Sequence, residues 1–416
     1  MASLKTDVVV LGAGIVGVAA ALHLQARGRA VALVDRAATA ASETSFGNAG
    51  IVQSEAVFPY TFPRAPAEIA RAALGLDPRV HIRYASLPAI APWLWRYFLA
   101  SSPRGRLATA MAMRGLVQRS VAEHSALAEA AGAQSLLRGG GWIKAYRTRR
   151  GEDLALKDME ETRPFDIPSV ALDRNQMLAL EPHLGEVARG GVHFTDPLSA
   201  SDPAALTQAY ARLFVARGGH YLIGDALTLR QSGGDWALDS VEGPLRAGAA
   251  VVALGPWSKE LVDAFGYRIP LGVKRGYHMH YAPKGNAVLN RPVLDLERGY
   301  LLAPMTRGLR LTSGAEFARR DDPPSSVHID LLEPSAREMF PLAERRDAVP
   351  WLGKRPCLPD MLPVIGPAPR HKGLWFDFGH QHLGLTLGPV SGLLLAQMMS
   401  GETPFADPAP FRADRF

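Results

Sequence analysis

A chain of 416 residues is long for one ordinary domain and suits two. With 47% hydrophobic and 21% charged residues it can bury a sizeable core, which excludes a disordered chain. A net charge of +6 on scattered arginines, with no basic stripe among aromatics, argues against nucleic-acid binding, and the single cysteine, Cys357, excludes an intrachain disulfide and points to a reducing, cytoplasmic compartment.

The N-terminus, MASLKTD, reads as lacking a signal peptide. Residues 7–11, DVVVL, form a buried strand by their β-branched run. A helix follows from about Gly14 to Arg27, closed by Gly28, and AVALVD (30–35) is a second buried strand. Residues 42–54 are small and polar, without helical period. A long region rich in alanine, proline and aromatics then predicts several helices, including 107–131. Within it Leu87 to Arg106 combines Trp93, Trp95, Tyr97 and Phe98 with arginines. Such a segment either packs on its own domain or anchors at a membrane surface. Residues 140–148 predict a strand, and Ser201 to Arg217 a helix capped by Asp202 and Pro203. Gly248 to Ser258 reads as a buried strand running into a tight turn and helix. Residues 270–282 and 299–314 alternate as antiparallel strands. GLWFDFG (373–379) predicts a last strand, and 384–399 a last helix.

Parallel-type strands thus fall at 7–11, 30–35, 249–254 and 374–378, with antiparallel ones between. The predicted fold is α/β: a Rossmann-like cofactor domain (1–54, 187–265 and 345–416) interrupted by an α+β substrate domain with an antiparallel sheet (55–186 and 266–344).

The chemistry-bearing motif is Gly12-Ala13-Gly14-Ile15-Val16-Gly17 between two buried strands, with Asp35 ending the second. Gly12 allows the turn, Gly14 a close approach of backbone to a pyrophosphate, and Gly17 helix packing; the helix N-terminus favours the diphosphate charge. Asp35 is placed to accept from ribose hydroxyls. Glu43-Thr44-Ser45 and Asn48-Ala49-Gly50 let the chain run close to the same cofactor. In FGHQHLGLTLGP (378–389), a strand, a glycine turn and a helix bring a second helix N-terminus to the sheet edge. That terminus suits the negative charge of a reduced flavin, which a nicotinamide lacks. His380 and His382 have no third ligand nearby, so no metal is expected; one or both would face flavin or substrate, or simply pack in the turn.

These motifs, with VVALGPWS, VKRGY and RPCLPDMLPVIG, resemble the FAD-dependent D-amino-acid oxidase superfamily, and more closely its bacterial D-amino-acid dehydrogenases. The resemblance spans essentially the whole chain. It implies non-covalent FAD, with Gly12, Gly14, Ile15, Val16, Asp35 and Arg36 on pyrophosphate and adenosine. Thr44, Ser45, Asn48, Ala49 and Gly50 would pass near the flavin end. Ala226 would meet adenine, and Ala253, Gly255 and Trp257 would line the adenosine side. Gly384, Leu385 and Thr386 would present amides to the flavin's pyrimidine edge.

The activity so implied is oxidative deamination of D-amino or D-imino acids, including proline-like ones such as a hydroxy-D-proline. The Cα hydrogen would leave as hydride to flavin N5, and water would hydrolyse the imine. The electrons would pass to a quinone or other carrier, with the enzyme at the periphery of the membrane's inner face if the tryptophan-rich segment meets lipid. For the substrate carboxylate Arg307 is the first candidate, with Tyr277 and Tyr300 adding hydroxyl contacts; Arg355 and Arg275 are alternatives. Lys274 and His278 lie on the same sheet, and His382 could reshape the pocket. Competing readings are a glycine- or sarcosine-type oxidase using oxygen, an NAD-dependent dehydrogenase, and a non-catalytic FAD-binding protein.

Overall fold

The computed structural model describes residues 4–416. Strand β1 (Leu4–Leu11) leads through the glycine turn into helix α1 (Ile15–Gln25) and strand β2 (Val31–Asp35). Helix α2 (Leu87–Ala100) follows, then β3 (His220–Ile223) and β4 (Gly243–Val252). A long strand, β5 (Gly272–Pro283), is followed by the hairpin β6 (Tyr300–Met305) and β7 (Gly308–Thr312). Strand β8 (Trp351–Cys357), strand β9 (Leu374–Phe378) and helix α3 (Gly384–Met399) complete the labelled elements.

The first sheet has eight strands, with the parallel run β3-β2-β1-β4-β9 at its heart. Both faces of this run are covered, so Val8 to Leu11 and Val31 to Val34 are buried without alternation. All four parallel strands expected from sequence lie in it. Strand β3, and the antiparallel pieces 230–232, 235–240 and 364–367, are additions. Helix α3 is buried along most of its length against α1. A Cβ on Gly388 would approach Ile15 to 3.1 Å, and one on Gly392 the backbone of Ala19 and Ala20 to 2.7–2.9 Å. Those two glycines set helix–helix distance, while Gly384 alone of the three is at the helix start.

The second sheet has eleven strands around β5. It pairs antiparallel with β7 on one side and β8 on the other. Strands 190–194 and β8 belong to this sheet, although both fall in stretches that the sequence reading gave to the cofactor domain. One face of β5, Tyr277, Met279 and Tyr281, packs with Tyr300 and Leu302 against the helix Val327–Met339. The opposite face, with Lys274, Gly276 and His278, looks towards the first sheet. Strand periodicity of two makes this division, although Tyr277 also reaches the cavity edge.

Candidate functional site

A cavity of about 910 Å³ lies between the two sheets. Its near wall is the β1–α1 turn. Gly12 holds φ +103°, and a Cβ there would stand 2.5 Å from the Ala253 carbonyl oxygen. Gly17 lies behind the wall, where a Cβ would meet the Gly12 carbonyl oxygen at 1.9 Å. The Ile15 amide donates to Ser45 Oγ at 3.0 Å, so the loop after β2 is tied to the start of α1. The helix has no side-chain cap, and the first-turn amides of Val16 and Gly17 have no carbonyl within the helix to reach.

Asp35 accepts from the amides of Ala13 (2.7 Å) and Ala37 (2.9 Å), which fixes its carboxylate at the cavity edge with further lone pairs open. Arg36 pairs with Glu43 and lies 4.3 Å over the Trp257 ring. Thr44, Asn48, Ala49, Ala226, Ala253 and Gly255 also line the cavity, as does His380. Gly50 and Thr386 do not. Gly50 lies against the Ala200 carbonyl, and the Thr386 hydroxyl is buried on Ile51 O (3.1 Å) and the Gln53 amide (3.2 Å). Gly384 and Leu385, at the start of α3, form the far wall. His124 holds that turn through Leu385 O at 2.6 Å, and burial brings its imidazole down to about 4, so it stands neutral.

A dinucleotide carrying a flavin suits this shape. Two helix N-termini face one cavity, the Asp35 carboxylate stands at its edge, and the glycine turn presents bare backbone to it. Cys357 lines the cavity, but burial pushes its thiol up, so it is a poor nucleophile.

The roof comes from β5 and β8, in register Lys274↔Arg355, Gly276↔Gly353 and His278↔Trp351. Arg355 donates only to the carbonyls of Gly314 (3.0 Å) and Ser313 (3.2 Å) and has no ion pair among the described residues. Its guanidinium overlies Gly276, where a Cβ would approach Nη2 to 2.2 Å. His382 packs on Tyr60 with ring centroids 4.9 Å apart. Burial, then Arg355 and Lys274, brings its imidazole down to about 3, so it stands neutral. Asp377 is buried 3.3 Å from His380, and burial raises its carboxyl against the pull of that histidine. The left-handed residues Met361 (φ +60°) and Gln381 (φ +55°) line the same cavity and are joined by a bond from Gln381 Nε2 to the Met361 carbonyl.

Four expectations for the substrate side fail here. Arg307 does not line the cavity: it is on the β6–β7 turn, half exposed, with Nη2 2.8 Å from Asp347. Tyr300 is one residue out of phase. Leu301 faces the cavity, while the Tyr300 hydroxyl bonds Ser335 O at 2.9 Å on the opposite face. Tyr277 borders the cavity, but its hydroxyl is taken by Glu316 (2.8 Å) and Arg275 (2.7 Å). Arg275 forms a fully buried ion pair with Glu316 at 2.8 Å and points away. Of the cavity residues the sequence reading missed, Tyr60 and Trp351 carry no motif, while Met361 and Gln381 lie within RPCLPDMLPVIG and FGHQHLGLTLGP without a signal of their own. His278, His280 and Asp347 cluster within 4.8 Å, but Arg310 donates to His280 Nε2 at 3.1 Å and Arg307 pairs with Asp347, so guanidinium charge already fills the role of a cation there.

The parallel sheet, the glycine turn and the roofed cavity define an enzyme of the two-domain flavoprotein class. The chain belongs to the DAO family of FAD-dependent oxidoreductases, whose model matches residues 7–398. It is 30% identical over 416 residues to a D-amino-acid oxidase of Bradyrhizobium diazoefficiens, covering 98% of each chain. It is 31% identical over 432 residues to a D-amino acid dehydrogenase of Cereibacter sphaeroides, covering 98% of this chain and 95% of the relative. Among solved structures, glycine oxidase from Geobacillus kaustophilus superposes with a TM-score of 0.77 at 23% identity, covering all of both chains. L-proline dehydrogenase from P. horikoshii gives 0.74 at 17%, covering all of this chain and 98% of the other.

Proposed function

We propose that the protein carries out oxidative deamination of D-amino acids, with Arg355 binding the substrate carboxylate. The observation that carries this is a half-buried guanidinium that lines the cavity without an acidic partner among the described residues. A carboxylate bound by its fork would neutralise that charge with two parallel hydrogen bonds. Bound FAD supplies the two-electron acceptor. The residues of the chain position and desolvate. Gly276 leaves room for the guanidinium, Tyr60 and His382 close one side, and a neutral His382 adds no competing charge. The relatives named as D-amino-acid enzymes support the same reading.

Anaerobic addition of D-amino acids should bleach the flavin, while L-amino acids, glycine and sarcosine should not. Arg355→Ala should keep its FAD and raise KM roughly a hundredfold or more. Bleaching by sarcosine or glycine alone, or unchanged kinetics of the variant, overturns the assignment. Hydrogen peroxide formed in air at the rate of turnover would favour an oxidase.

We also infer that electrons leave to a quinone or a carrier protein, and that the outward face of α2 meets the membrane surface. No helix among the described residues is long and apolar enough to cross a membrane. On α2, Trp95 is 61% exposed and Leu99 53%, beside the exposed Arg96. Sedimentation with anionic vesicles tests the contact, and recovery of all protein in the supernatant would refute it.

A further inference from the structure

The roof of the cavity holds a second cation that the proposed reaction does not use. Lys274 faces Arg355 across the β5–β8 pair, in register. Directly opposed like charges are unfavourable, and here Lys274 is buried and Arg355 half-buried. No ion pair reaches the Lys274 ammonium among the described residues. The ammonium contacts the Met361 sulfur at 3.8 Å and the ring of Tyr97, whose centroid is also 3.8 Å away. Trp93 and Phe317 complete an aromatic surround at 5.9 Å each. Such rings return about 2 kcal/mol to a desolvated cation, less than the several kcal/mol that removing it from water costs. Burial brings the ammonium down to about 8, so it remains largely charged at neutral pH.

The two cations also point apart. Arg355 leans over Gly276 towards the carbonyls of Ser313 and Gly314. Lys274 leans the other way, under α2. A single carboxylate gripped by both would require them to converge. Two anionic groups on one small molecule match them as they stand.

We propose that the cavity selects an amino acid with a carboxylate in its side chain, Arg355 holding the α-carboxylate and Lys274 the second one. This deepens the D-amino-acid reading and rests on it. The substrate class is a D-amino dicarboxylic acid with one or two methylenes between Cα and the distal carboxylate. A proline-like ring leaves Lys274 without a partner, so the structure favours an acidic side chain over the ring imino acids considered from sequence. Lys274 is here a specificity-determining residue and moves no proton of the reaction.

The test compares D-glutamate and D-aspartate with D-alanine and D-norvaline in the FAD-loaded enzyme. The acidic substrates should show kcat/KM at least tenfold higher. Lys274→Met should remove that preference by raising KM for the acidic substrates only, and Lys274→Arg should restore part of it. Calorimetric titration with glutarate and butyrate, which lack an amine, reads the same preference without turnover. Glutarate should bind tenfold or more tightly to the wild type and no better than butyrate to Lys274→Met. If Lys274→Met weakens D-alanine and D-glutamate equally, both cations grip one carboxylate and the proposal fails. It fails also if neutral side chains are preferred by the wild type. If no amino acid of either kind reduces the flavin, the D-amino-acid reading itself is wrong.

Discussion

At the residue scale, the site depends on what one small side chain leaves free. Gly276 is in the middle of a strand, where glycine ordinarily weakens pairing. Its value is the space above it, because a Cβ would lie 2.2 Å from Nη2 and 2.6 Å from Cζ of Arg355. The obstacle is the end of a long side chain, so the fold can absorb the change by moving the guanidinium. On the proposed role of Arg355 the function cannot, since a displaced fork would lose one or both charged hydrogen bonds to the substrate carboxylate. At about 1.5–3 kcal/mol for such a bond, Gly276→Ala should raise KM roughly ten- to hundredfold. Its melting temperature and FAD content should stay near wild type. An unchanged KM, measured by initial rates at saturating acceptor, would show that Arg355 is not held by this contact.

At the element scale, periodicity fixed which segments are strands and helices, but not which way they face. The parallel strands and the helix at 384–399 were legible because their apolar runs are long and bounded by glycine. The FAD loop was legible because Gly12 needs φ +103° and Gly17 needs contact with Gly12, and both demands leave a mark in sequence. The substrate side was not. In VKRGYHMHY every residue from Lys274 to Tyr281 is buried, since one face meets a cavity and the other a helix. Two polar faces of one strand look alike, so Lys274 and Arg275 could not be separated, nor Tyr300 from Leu301. Arg307 attracted attention as a turn arginine, and its partner Asp347, 40 residues on, is visible only in three dimensions. Helix α2 shows the same limit. Trp93 and Tyr97 turn towards Lys274, while Trp95 and Leu99 turn out, so one aromatic segment satisfies both readings of it. The outward pair should carry vesicle binding. Losing two half-exposed apolar anchors costs about 2 kcal/mol, so Trp95→Ser with Leu99→Ser should lower binding roughly thirtyfold and leave turnover with a soluble dye acceptor unchanged. Equal sedimentation of variant and wild type would assign the face to another role.

At the scale of the whole molecule, the cavity is assembled from segments far apart in the chain. The near wall is at Gly12 to Ser45, the roof at Lys274 to Trp351, and the far wall at Gly384. The two sheets therefore face each other across the space that FAD is expected to fill, and the cofactor contributes to folding stability as well as to chemistry. Stabilisation by a ligand that binds only the folded state grows by about 1.4 kcal/mol for each tenfold excess over its Kd. Protein stripped of flavin should melt at a lower temperature than the holoenzyme, and its midpoint should climb continuously as FAD is added back. The bond is expected to be non-covalent, because Cys357 is the only thiol, is buried, and has its proton held on by that burial. Acid precipitation should then leave all the yellow colour in the supernatant. A midpoint indifferent to FAD would mean that the two sheets hold each other without the cofactor, and flavin retained on the precipitated chain would mean that a side chain other than a free thiolate forms the link.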